Sequence, residues 1–480
     1  MLFKIRAEKN QDDKKIFYYD NEKNILSSEE GIVYEDSNRK QTNKPKQFIP
    51  FSKDLPLKKS NSVKRVKIQM GLSCNYSCDY CSQKFVERPP ETSKKDIEEF
   101  MRKFDHLDFS EQRGLHIEFW GGEPFVYWKT MKPLVEAISE KFAHWKKKPR
   151  FSVITNGSIL TPDICAWLYY MGFSVAISHD GPGQFVRGPD PFDDPKQKKI
   201  LLDFFKIMHP LRRISFNAML HAKNQSRKAI HEWFVNLLGD PTVRHGEGGI
   251  VDAYDEDGVA NSLLTKKDHF EYRQLSFNDM YTTNGEINFV NISDKIKYFG
   301  TSVLTHQESQ YLNQKCGMDD EEILAIDMKG NVITCQNVSA IETGPNFESH
   351  FGGTIENMEA VEIKTSTHWS NREECSKCPV LHICKGACMF LDGKYWEISC
   401  ANAYSDNIPL FALAFQKITG YIPTYIDNDA LPAERRDIWG TILEHEELKQ
   451  RKIIPIKAVS GTLSEINGIQ VYTQSKLGEH

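Results

Sequence analysis

Residues 66–85 read VKIQMGLSCNYSCDYCSQKF and join a strand pattern to a cluster of cysteines. Val66, Ile68 and Met70 alternate with polar residues, which is typical of a strand with one buried face, and Gly71 then releases the chain into a loop. The loop carries a C-x3-C-x2-C array of Cys74, Cys78 and Cys81. Cubane iron–sulfur clusters are usually held by four Cys thiolates, so three ligands predict a cluster with one iron open to a ligand that is not protein.

The chain beyond this loop repeats a pattern of strand and then helix. The predicted strands are Val66–Met70, Leu115–Trp120, Phe151–Ile154, Phe173–Ile177, Ile214–Met219 and Gly249–Tyr254. Six such units predict an α/β fold with a parallel sheet. Right-handed crossovers curl such a sheet toward a barrel, and functional loops gather at the C-terminal ends of its strands. We therefore expect a partial (β/α)6 TIM-like barrel.

Polar turns follow three consecutive predicted strands. The second strand is followed by Gly121, Gly122, Glu123 and Pro124, and the third by Thr155, Asn156 and Gly157. The fourth is followed by the run Ser178, His179, Asp180, Gly181 and Pro182, and then by Arg187. Each motif alone is ordinary turn chemistry. Their order predicts that they surround the cysteine loop at one edge of the sheet.

The C-x3-C-x2-C array, with Tyr80 before its last cysteine, resembles the signature of radical S-adenosylmethionine (radical SAM) enzymes. The resemblance implies that Cys74, Cys78 and Cys81 hold a [4Fe–4S] cluster whose open iron chelates the amino and carboxylate groups of SAM. One electron then cleaves SAM to a 5′-deoxyadenosyl radical, which abstracts hydrogen from a substrate. The alternative is a zinc knuckle, although zinc spacing is typically C-x2-C or C-x4-C with a second pair downstream.

The resemblance also gives roles to the turns. It implies that glycines of the GGEP motif let the SAM amino group approach closely, and that the segment from Ser178 to Arg187 contacts the SAM ribose and carboxylate. The implied cofactor-binding residues are Tyr80, Gly121, Gly122, Glu123, Pro124, Thr155, Asn156, Ser178, Asp180 and Arg187. A surface position for Arg187 is the alternative. We expect His179 to be structural and Cys165 to be a packed core cysteine.

A second group of cysteines begins beyond residue 300, and Gly330 precedes Cys335 in a G-x4-C segment. The pattern resembles the SPASM domain, which carries two auxiliary [4Fe–4S] clusters in radical SAM enzymes that mostly modify peptides. The resemblance implies an outer cluster on Cys375, Cys378, Cys384 and Cys400 and a nearer one on Cys316, Cys335 and Cys388. The alternative is a zinc ribbon.

The chain departs from the family of anaerobic sulfatase-maturating enzymes at one informative position. That family carries an eighth cysteine upstream and an Asp base directly after the cysteine of the G-x4-C segment, where this chain has Gln336. An amide is not a base. An iron open to a substrate group, as proposed for the nearer cluster of some thioether-forming relatives, stays an open question for this chain. Asp252 and Asp255 are interpreted as solvated loop carboxylates, with a position at the barrel mouth as the alternative.

These patterns divide the chain of 480 residues into four predicted parts. Residues 1–65 form an N-terminal extension outside the core, with a hairpin of Lys15–Tyr19 and Ile32–Tyr34. Residues 66–300 form the partial barrel and residues 301–405 the SPASM domain. Residues 406–480 form a helical C-terminal extension, with its second helix around residues 438–448.

Composition bounds the function. The net charge of −5 gives no basic field for nucleic acid, and local basic runs lie among acidic segments. No apolar run is long enough to span a membrane, and no signal peptide is visible. Eleven cysteines in such a chain indicate thiolate ligands in the cytoplasm rather than disulfides.

The predicted activity is radical oxidation of a peptide or protein, by a maturase of ribosomally made peptides, to a thioether, C–C or ether crosslink. It requires SAM, three [4Fe–4S] clusters and an electron donor such as flavodoxin or ferredoxin. A sulfatase-type maturase or a small-molecule dehydrogenase is the alternative enzyme, and an iron–sulfur redox-sensing protein is the alternative that is not an enzyme. The modified residue, the bond formed, the oligomeric state and the role of the N-terminal extension stay open.

Overall fold

The computed structural model describes residues 1–36, 50, 52–246, 248–283, 287–306, 314, 316–441, 462–466 and 469–473. Its strands are β1 (Leu2–Glu8), β2 (Lys14–Asp20), β3 (Ile25–Ser28), β4 (Leu57–Lys58), β5 (Arg65–Gln69), β6 (His116–Trp120), β7 (Arg150–Thr155), β8 (Ser174–Ser178), β9 (Ile214–Asn217), β10 (Ile323–Asp327), β11 (Asn331–Ile333), β12 (Phe351–Thr354), β13 (Glu362–Ile363), β14 (Ile422–Asp427), β15 (Thr462–Ile466) and β16 (Ile469–Thr473). Its α-helices are α1 (Ile97–Phe104), α2 (Trp128–Lys141), α3 (Pro162–Tyr170), α4 (Pro195–Met208), α5 (Arg227–Leu238), α6 (Glu256–Ala260), α7 (Lys266–Thr282), α8 (Val290–Leu304), α9 (Glu373–Ser376), α10 (Leu381–Cys384), α11 (Gly393–Thr419) and α12 (Ala433–Arg436). None of these helices combines the length and apolar character that crossing a bilayer requires.

The central sheet has eight strands in the order β12-β11-β10-β5-β6-β7-β8-β9. Strands β5 to β9 pair in parallel, each with the next along the chain. On the other side of β5, β10 pairs with it in parallel, and β11 and β12 continue antiparallel. The predicted α/β class with a parallel sheet is confirmed, and the described strands form an open sheet rather than a closed barrel.

The sixth parallel strand was predicted at the wrong place. Residues 249–254 make only an isolated parallel bridge, between Leu220 and Ile250. The backbone just before them passes close to neighbouring side chains, because a Cβ on Gly248 would lie 2.3 Å from the Phe289 ring. The sixth parallel strand is instead β10, whose five residues are all buried.

Strand β5 is buried on both faces, although the sequence pattern predicted one. Its apolar residues Val66 and Ile68 are fully buried, and Lys67 and Gln69 are buried on the opposite face. Lys67 Nζ donates to the carbonyl of Cys316 at 2.7 Å, and Gln69 Nε2 donates to the carbonyl of Gln336 at 2.8 Å. The polar face of the strand therefore holds the backbone that carries two of the downstream cysteine segments.

Helices α1 and α3 both begin next to a side chain that caps backbone donors. Ser93 accepts the backbone N–H of Lys95 and forms a capping box with Asp96 ahead of α1. Thr161 accepts the backbone N–H of Ile164 at the start of α3. These side chains satisfy donors that a helix start leaves without intrahelical partners.

The predicted N-terminal extension is part of the core, which corrects its expected position outside. Strands β14, β1, β2 and β3 form one antiparallel sheet in that order, with Lys4 opposite Asp427. The inner face of this sheet packs on α11, where Phe17 contacts Phe415 and Tyr19 contacts Phe411. Burying these aromatic rings explains why residues far apart in sequence form one sheet. We refer to β14, β1, β2 and β3 as the terminal sheet.

Two predicted details of this region also differ. The hairpin partner of β2 is β3, and Val33 makes only a bridge to Ser27. Helix α11 runs unbroken through the predicted boundary between residues 405 and 406. The predicted helix at residues 438–448 falls mostly outside the described residues.

Candidate functional site

A cavity of about 1070 Å³ opens where β5, β6, β7 and β8 end. The parallel strands deliver their C-terminal loops to this edge, as expected for the fold. The predicted site residues that line it are Cys74, Cys78, Tyr80, Cys81, Gly121, Gly122, Glu123, Thr155, Asn156, Ser178, Arg187, Cys316, Cys335 and Cys388. Pro124, Asp180, Cys375, Cys378, Cys384 and Cys400 do not line it.

The loop after β5 presents three thiols to this cavity. Burial raises the pKa of the Cys78 thiol to about 12, and nearby Arg187 opposes that shift. The backbone N–H of Tyr76 donates to Cys74 Sγ at 3.4 Å. Among the described residues, no three His, Cys, Asp or Glu side chains converge on the position of a single metal ion. Three thiols that face one cavity without converging fit a cubane cluster, because its cysteines bind different iron atoms.

The glycines after β6 are required by packing against the cysteine loop. A Cβ on Gly121, whose φ is +144°, would lie 2.3 Å from the carbonyl oxygen of Gly71. A Cβ on Gly122 would lie 2.3 Å from the carbonyl oxygen of Ser73. The backbone N–H groups of Gly122 and Glu123 donate to these same two carbonyls, both at 3.0 Å. Glycine at these positions therefore lets the two loops hydrogen-bond directly.

Glu123 is buried between two of the predicted motifs. Its carboxylate accepts hydrogen bonds from Thr155 Oγ1 at 2.8 Å, the backbone N–H of Asn156 at 2.7 Å and the backbone N–H of Phe125 at 3.1 Å. Burial raises the pKa of Glu123 to about 7, although these hydrogen bonds favour the ionised form. The carboxylate thus fixes the loop after β7 relative to the loop after β6.

Tyr80, Asp180 and Arg187 form a buried network at the cavity wall. The Tyr80 hydroxyl donates to Asp180 Oδ2 and accepts a hydrogen bond from Arg187 Nη1 at 2.7 Å. The side chain of Arg187 is 12% exposed, so the alternative surface position for it is wrong. Its Nε is buried and has no hydrogen-bond partner, and the residue lines the cavity. A buried donor without a partner is uncommon and calls for an acceptor.

Asp180 is fully buried behind this network rather than in the cavity wall. Its carboxylate also accepts the backbone N–H of Met219 at 2.9 Å. It therefore positions Tyr80 and the loop after β9. Neighbouring His179 is buried against Trp233 and paired with Asp190 at 3.0 Å, and Cys165 is buried in α3, as predicted.

Cys316, Cys335 and Cys388 reach the same cavity from the downstream segments. Cys335 interacts electrostatically with the other two thiols, and burial raises its pKa. Tyr254, also in the cavity wall, hydrogen-bonds to Cys388. The structure therefore brings together the three cysteines of the nearer set, and their role as cluster ligands stays a prediction.

The two carboxylates interpreted as solvated are both engaged. Asp252 lines the cavity and interacts electrostatically with Cys388, which is the alternative position that the sequence left open. Asp255 is paired with Lys84 at 2.9 Å, and both side chains are mostly buried. Asp255 also caps α6 through the backbone N–H of Gly258.

The outer set of cysteines lies apart from the cavity. Cys375 interacts electrostatically with Cys384, Cys400 and Cys378, and burial raises its pKa. Burial also raises the pKa of Cys378 to about 11, opposed by Arg435. Four neighbouring thiols, of which Cys375 is buried and the other three are partly buried, fit a four-ligand cluster.

Sequence reasoning missed two residues that contact this outer set. Asn21 Nδ2, in the turn after β2, donates to the carbonyls of Ser376 at 3.1 Å and Cys378 at 3.0 Å. Arg435 Nη2, in α12, donates to Cys400 Sγ at 3.3 Å. No local pattern reveals either contact, because each joins segments that are distant in the chain.

The sequence of this chain matches a family model and several known proteins. Residues 68–202 match the family model described as the Radical SAM superfamily. The radical SAM cyclopropyl synthase TigE of Paramaledivibacter caminithermalis is 22% identical over 360 residues, which cover 70% of this chain and 70% of TigE. A cysteine-type anaerobic sulfatase-maturating enzyme of Clostridium perfringens is 23% identical over 342 residues, which cover 66% of this chain and 85% of that enzyme.

Solved structures share the fold. The structure described as "Native anSMEcpe with bound AdoMet and Cp18Cys peptide" matches with a TM-score of 0.52 and 18% identity, covering 74% of this chain and 99% of that one. A second, "Native anSMEcpe with bound AdoMet", matches with a TM-score of 0.53 and 19% identity, covering 73% and 99%. At this level of identity the likeness is one of fold.

Proposed function

We propose that this chain, a radical SAM enzyme related to peptide-modifying maturases, oxidises a residue of a peptide or protein substrate. The observation that carries the proposal is a single cavity lined by two sets of thiols, Cys74, Cys78 and Cys81 from the loop after β5 and Cys316, Cys335 and Cys388 from the downstream segments. A substrate bound there would touch a radical source and an electron acceptor at once.

The first set of thiols would hold the cluster that binds SAM. When bound, this cluster and SAM supply the 5′-deoxyadenosyl radical that abstracts hydrogen. Arg187 lines the cavity, and a guanidinium suits a carboxylate such as that of SAM. Glu123 holds the loops after β6 and β7 together, so Thr155 and Asn156 keep fixed positions in the cavity wall. Ser178 and the backbone of Gly121 and Gly122 complete this wall.

Other residues suit the steps that follow hydrogen abstraction, which are the removal of an electron and of a proton. Losing a hydrogen atom leaves a substrate radical, and a net two-electron oxidation must then remove one more electron and usually a proton. The nearer and outer cysteine sets would hold two auxiliary [4Fe–4S] clusters that accept the electron. We assign the proton to Asp252, since Glu123 is already occupied by three donors and Gln336 is not a base.

The proposed product is a thioether, carbon–carbon or ether crosslink. TigE is named a cyclopropyl synthase, which favours formation of a carbon–carbon bond. Solved relatives contain a bound peptide by their descriptions, which supports a peptide partner. We propose a flavodoxin or ferredoxin as electron donor and the cytoplasm as location, because reduced thiols are kept there.

We propose the four-part division of the chain, at residues 65, 300 and 405, as a division by function rather than by packing, because the terminal sheet joins its first and last parts and α11 crosses the boundary at residue 405. In this division the barrel domain binds SAM, and the SPASM domain holds the auxiliary clusters. The second candidate function is a sulfatase-type maturase, which the likeness to the Clostridium perfringens enzyme favours. Gln336, in place of the carboxylate expected there, counts against it.

The test is formation of 5′-deoxyadenosine, measured by mass spectrometry after anaerobic cluster reconstitution with SAM and a low-potential reductant. We expect product from the wild type and from Cys165→Ala, whose thiol is buried in α3 away from the cavity, but none from Cys78→Ala. Absence of product from wild-type protein that holds about 12 iron atoms per chain, for three four-iron clusters, would leave the redox-sensing alternative. Peptides are then ranked by how strongly they stimulate product formation, and a sulfatase-derived peptide that ranks first would favour the maturase alternative.

A further inference from the structure

Arg435 makes a direct contact with a thiol of the outer cysteine set. Its Nη2 donates to Cys400 Sγ at 3.3 Å, and its charge also interacts with Cys378. The contact is partly buried. It therefore pairs a cation with the sulfur atoms that would surround an anionic cluster.

The position of Arg435 is fixed by residues that do not touch the cysteines. Tyr404 lies one turn beyond Cys400 in α11, and its hydroxyl donates to the backbone carbonyl of Arg435 at 2.6 Å. The Arg435 guanidinium lies 5.0 Å from the centre of the Tyr404 ring. Arg273 Nη1 donates to the carbonyl of Glu434 at 2.8 Å. The segment that carries Arg435 is thus held against α11 by two contacts of Tyr404 and against α7 by one contact of Arg273.

A second arginine near the outer set is used differently. Arg372 interacts electrostatically with Cys375 and Cys400. Its donors, however, go to the backbone carbonyls of Thr367 at 2.8 Å and Leu391 at 2.5 Å, and its guanidinium stacks 3.5 Å from the centre of the Trp396 ring. Arg435, unlike Arg372, donates a hydrogen bond to a cysteine sulfur.

We propose that Arg435 raises the reduction potential of the iron–sulfur cluster held by Cys375, Cys378, Cys384 and Cys400, and that the segment after β14 is therefore part of the electron-transfer apparatus. The inference rests on the proposed function, because it requires that the outer cluster exists. It goes further in assigning a redox role to a residue outside the cysteine pattern.

The direction of the effect follows from charge. Adding one electron to a cluster makes it more negative, and a nearby cation with a hydrogen bond to sulfur stabilises the reduced form more than the oxidised form. A cluster with a higher potential accepts an electron more readily. Removing the arginine should thus lower the midpoint potential of the outer cluster and leave that of the nearer cluster unchanged.

The test measures midpoint potentials by electron paramagnetic resonance during anaerobic titration with dithionite and redox mediators. The background is a full-length chain in which Cys74, Cys78 and Cys81 are changed to Ala, so that only the two auxiliary clusters contribute. Arg435→Gln removes the charge with a side chain that still donates hydrogen bonds, and Arg435→Lys keeps the charge but lacks the planar fork. Arg436→Gln is the matched control, because Arg436 pairs instead with the exposed Asp429 at 3.0 Å.

We expect Arg435→Gln to reduce the ratio of reduced to oxidised outer cluster about tenfold at a fixed potential, which equals a shift of about 59 mV for one electron. Arg435→Lys should shift it less, and Arg436→Gln should not shift it. Unchanged midpoints in Arg435→Gln, with about eight iron atoms retained per chain, would overturn the inference. Loss of about four iron atoms in both Arg435 variants but not in Arg436→Gln would also overturn it, because the arginine would then retain the cluster rather than tune it. If the background protein itself holds no iron, no outer cluster exists and the inference is overturned, whereas formation of 5′-deoxyadenosine by the wild type would still support the proposed radical chemistry.

Discussion

Glu123 accepts the backbone N–H of Asn156 at 2.7 Å, which joins the loop after β6 to the loop after β7. Both loops line the same cavity, and the carboxylate that joins them is buried. The carboxyl group of Glu123, whose pKa is raised by burial, thus joins two loops of the site. We expect its protonation to change the stability of the fold.

Glu123→Gln should change how stability depends on pH. The folded-state pKa of Glu123 is about 7, raised from 4.5 by burial, so the folded chain binds this proton more tightly than the unfolded chain does. The wild type therefore loses up to about 3 kcal/mol of stability from this group as pH rises from 4.5 to 7. The variant lacks that loss, and its Tm should rise relative to the wild type over the same range. The measurement is thermal unfolding of cluster-free protein; curves that stay parallel across the range would contradict the assignment.

Arg187→Lys should weaken binding of SAM to the reconstituted enzyme about tenfold, equal to about 1.4 kcal/mol. Lysine keeps the charge but loses Nε and the planar fork, and it no longer reaches Tyr80 in the same geometry. The dissociation constant is measured by calorimetry under anaerobic conditions. Arg244→Lys is the control, because Arg244 donates to the carbonyl of Arg212 at an exposed position. Equal affinities in the two variants would show that Arg187 does not contact SAM.

Asp252→Asn should lower the amount of crosslinked product about 100-fold, because an amide does not accept the proton. Formation of 5′-deoxyadenosine should persist, since radical initiation does not depend on this carboxylate. The ratio of the two products is measured by mass spectrometry with a stimulating peptide. The control is Asp294→Asn, which changes another carboxylate in the cavity wall. An unchanged product ratio in Asp252→Asn would show that another residue is the base.

Asp406→Ala should destabilise the fold by about 3 to 5 kcal/mol. Arg227 is fully buried, and Asp406 accepts hydrogen bonds from Arg227 Nη2 and from the Tyr272 hydroxyl, both at 2.5 Å. Losing the carboxylate leaves a guanidinium in the core with its charge uncompensated. The measurement is urea unfolding of cluster-free protein. The control is Glu232→Ala, whose pair with Lys228 is exposed and should contribute little.

The parts of the site that the sequence predicts are those encoded locally. The spacing of Cys74, Cys78 and Cys81, and the turns that end in Glu123 and Asn156, lie within short stretches whose periodicity also fixes the strands before them. Their order along the chain then places them at one edge of a parallel sheet. The structure brings these residues to one cavity for that reason.

The parts that the sequence does not predict depend on contacts between distant segments. Nothing near Ile323–Asp327 indicates that this strand pairs with β5 rather than within the predicted SPASM domain. The contacts of Arg435 with Cys400 and of Asn21 with Cys378 likewise join residues whose sequence separation hides them. The local pattern of Gly249–Tyr254 does not reveal that the segment makes only an isolated bridge, between Ile250 and Leu220.

The terminal sheet bears on how the protein is made. Strand β14 is translated more than 400 residues after its partner β1, as the pairing of Lys4 with Asp427 shows. At elongation rates of about 5 to 20 residues per second this delay is roughly 20 to 80 s. During that time, the hairpin of β1 and β2 exposes an edge that the finished protein covers, and the outer cysteine set lacks Arg435. We therefore expect the outer cluster to be inserted after the Arg435 segment has been translated, with the nascent chain needing protection until then.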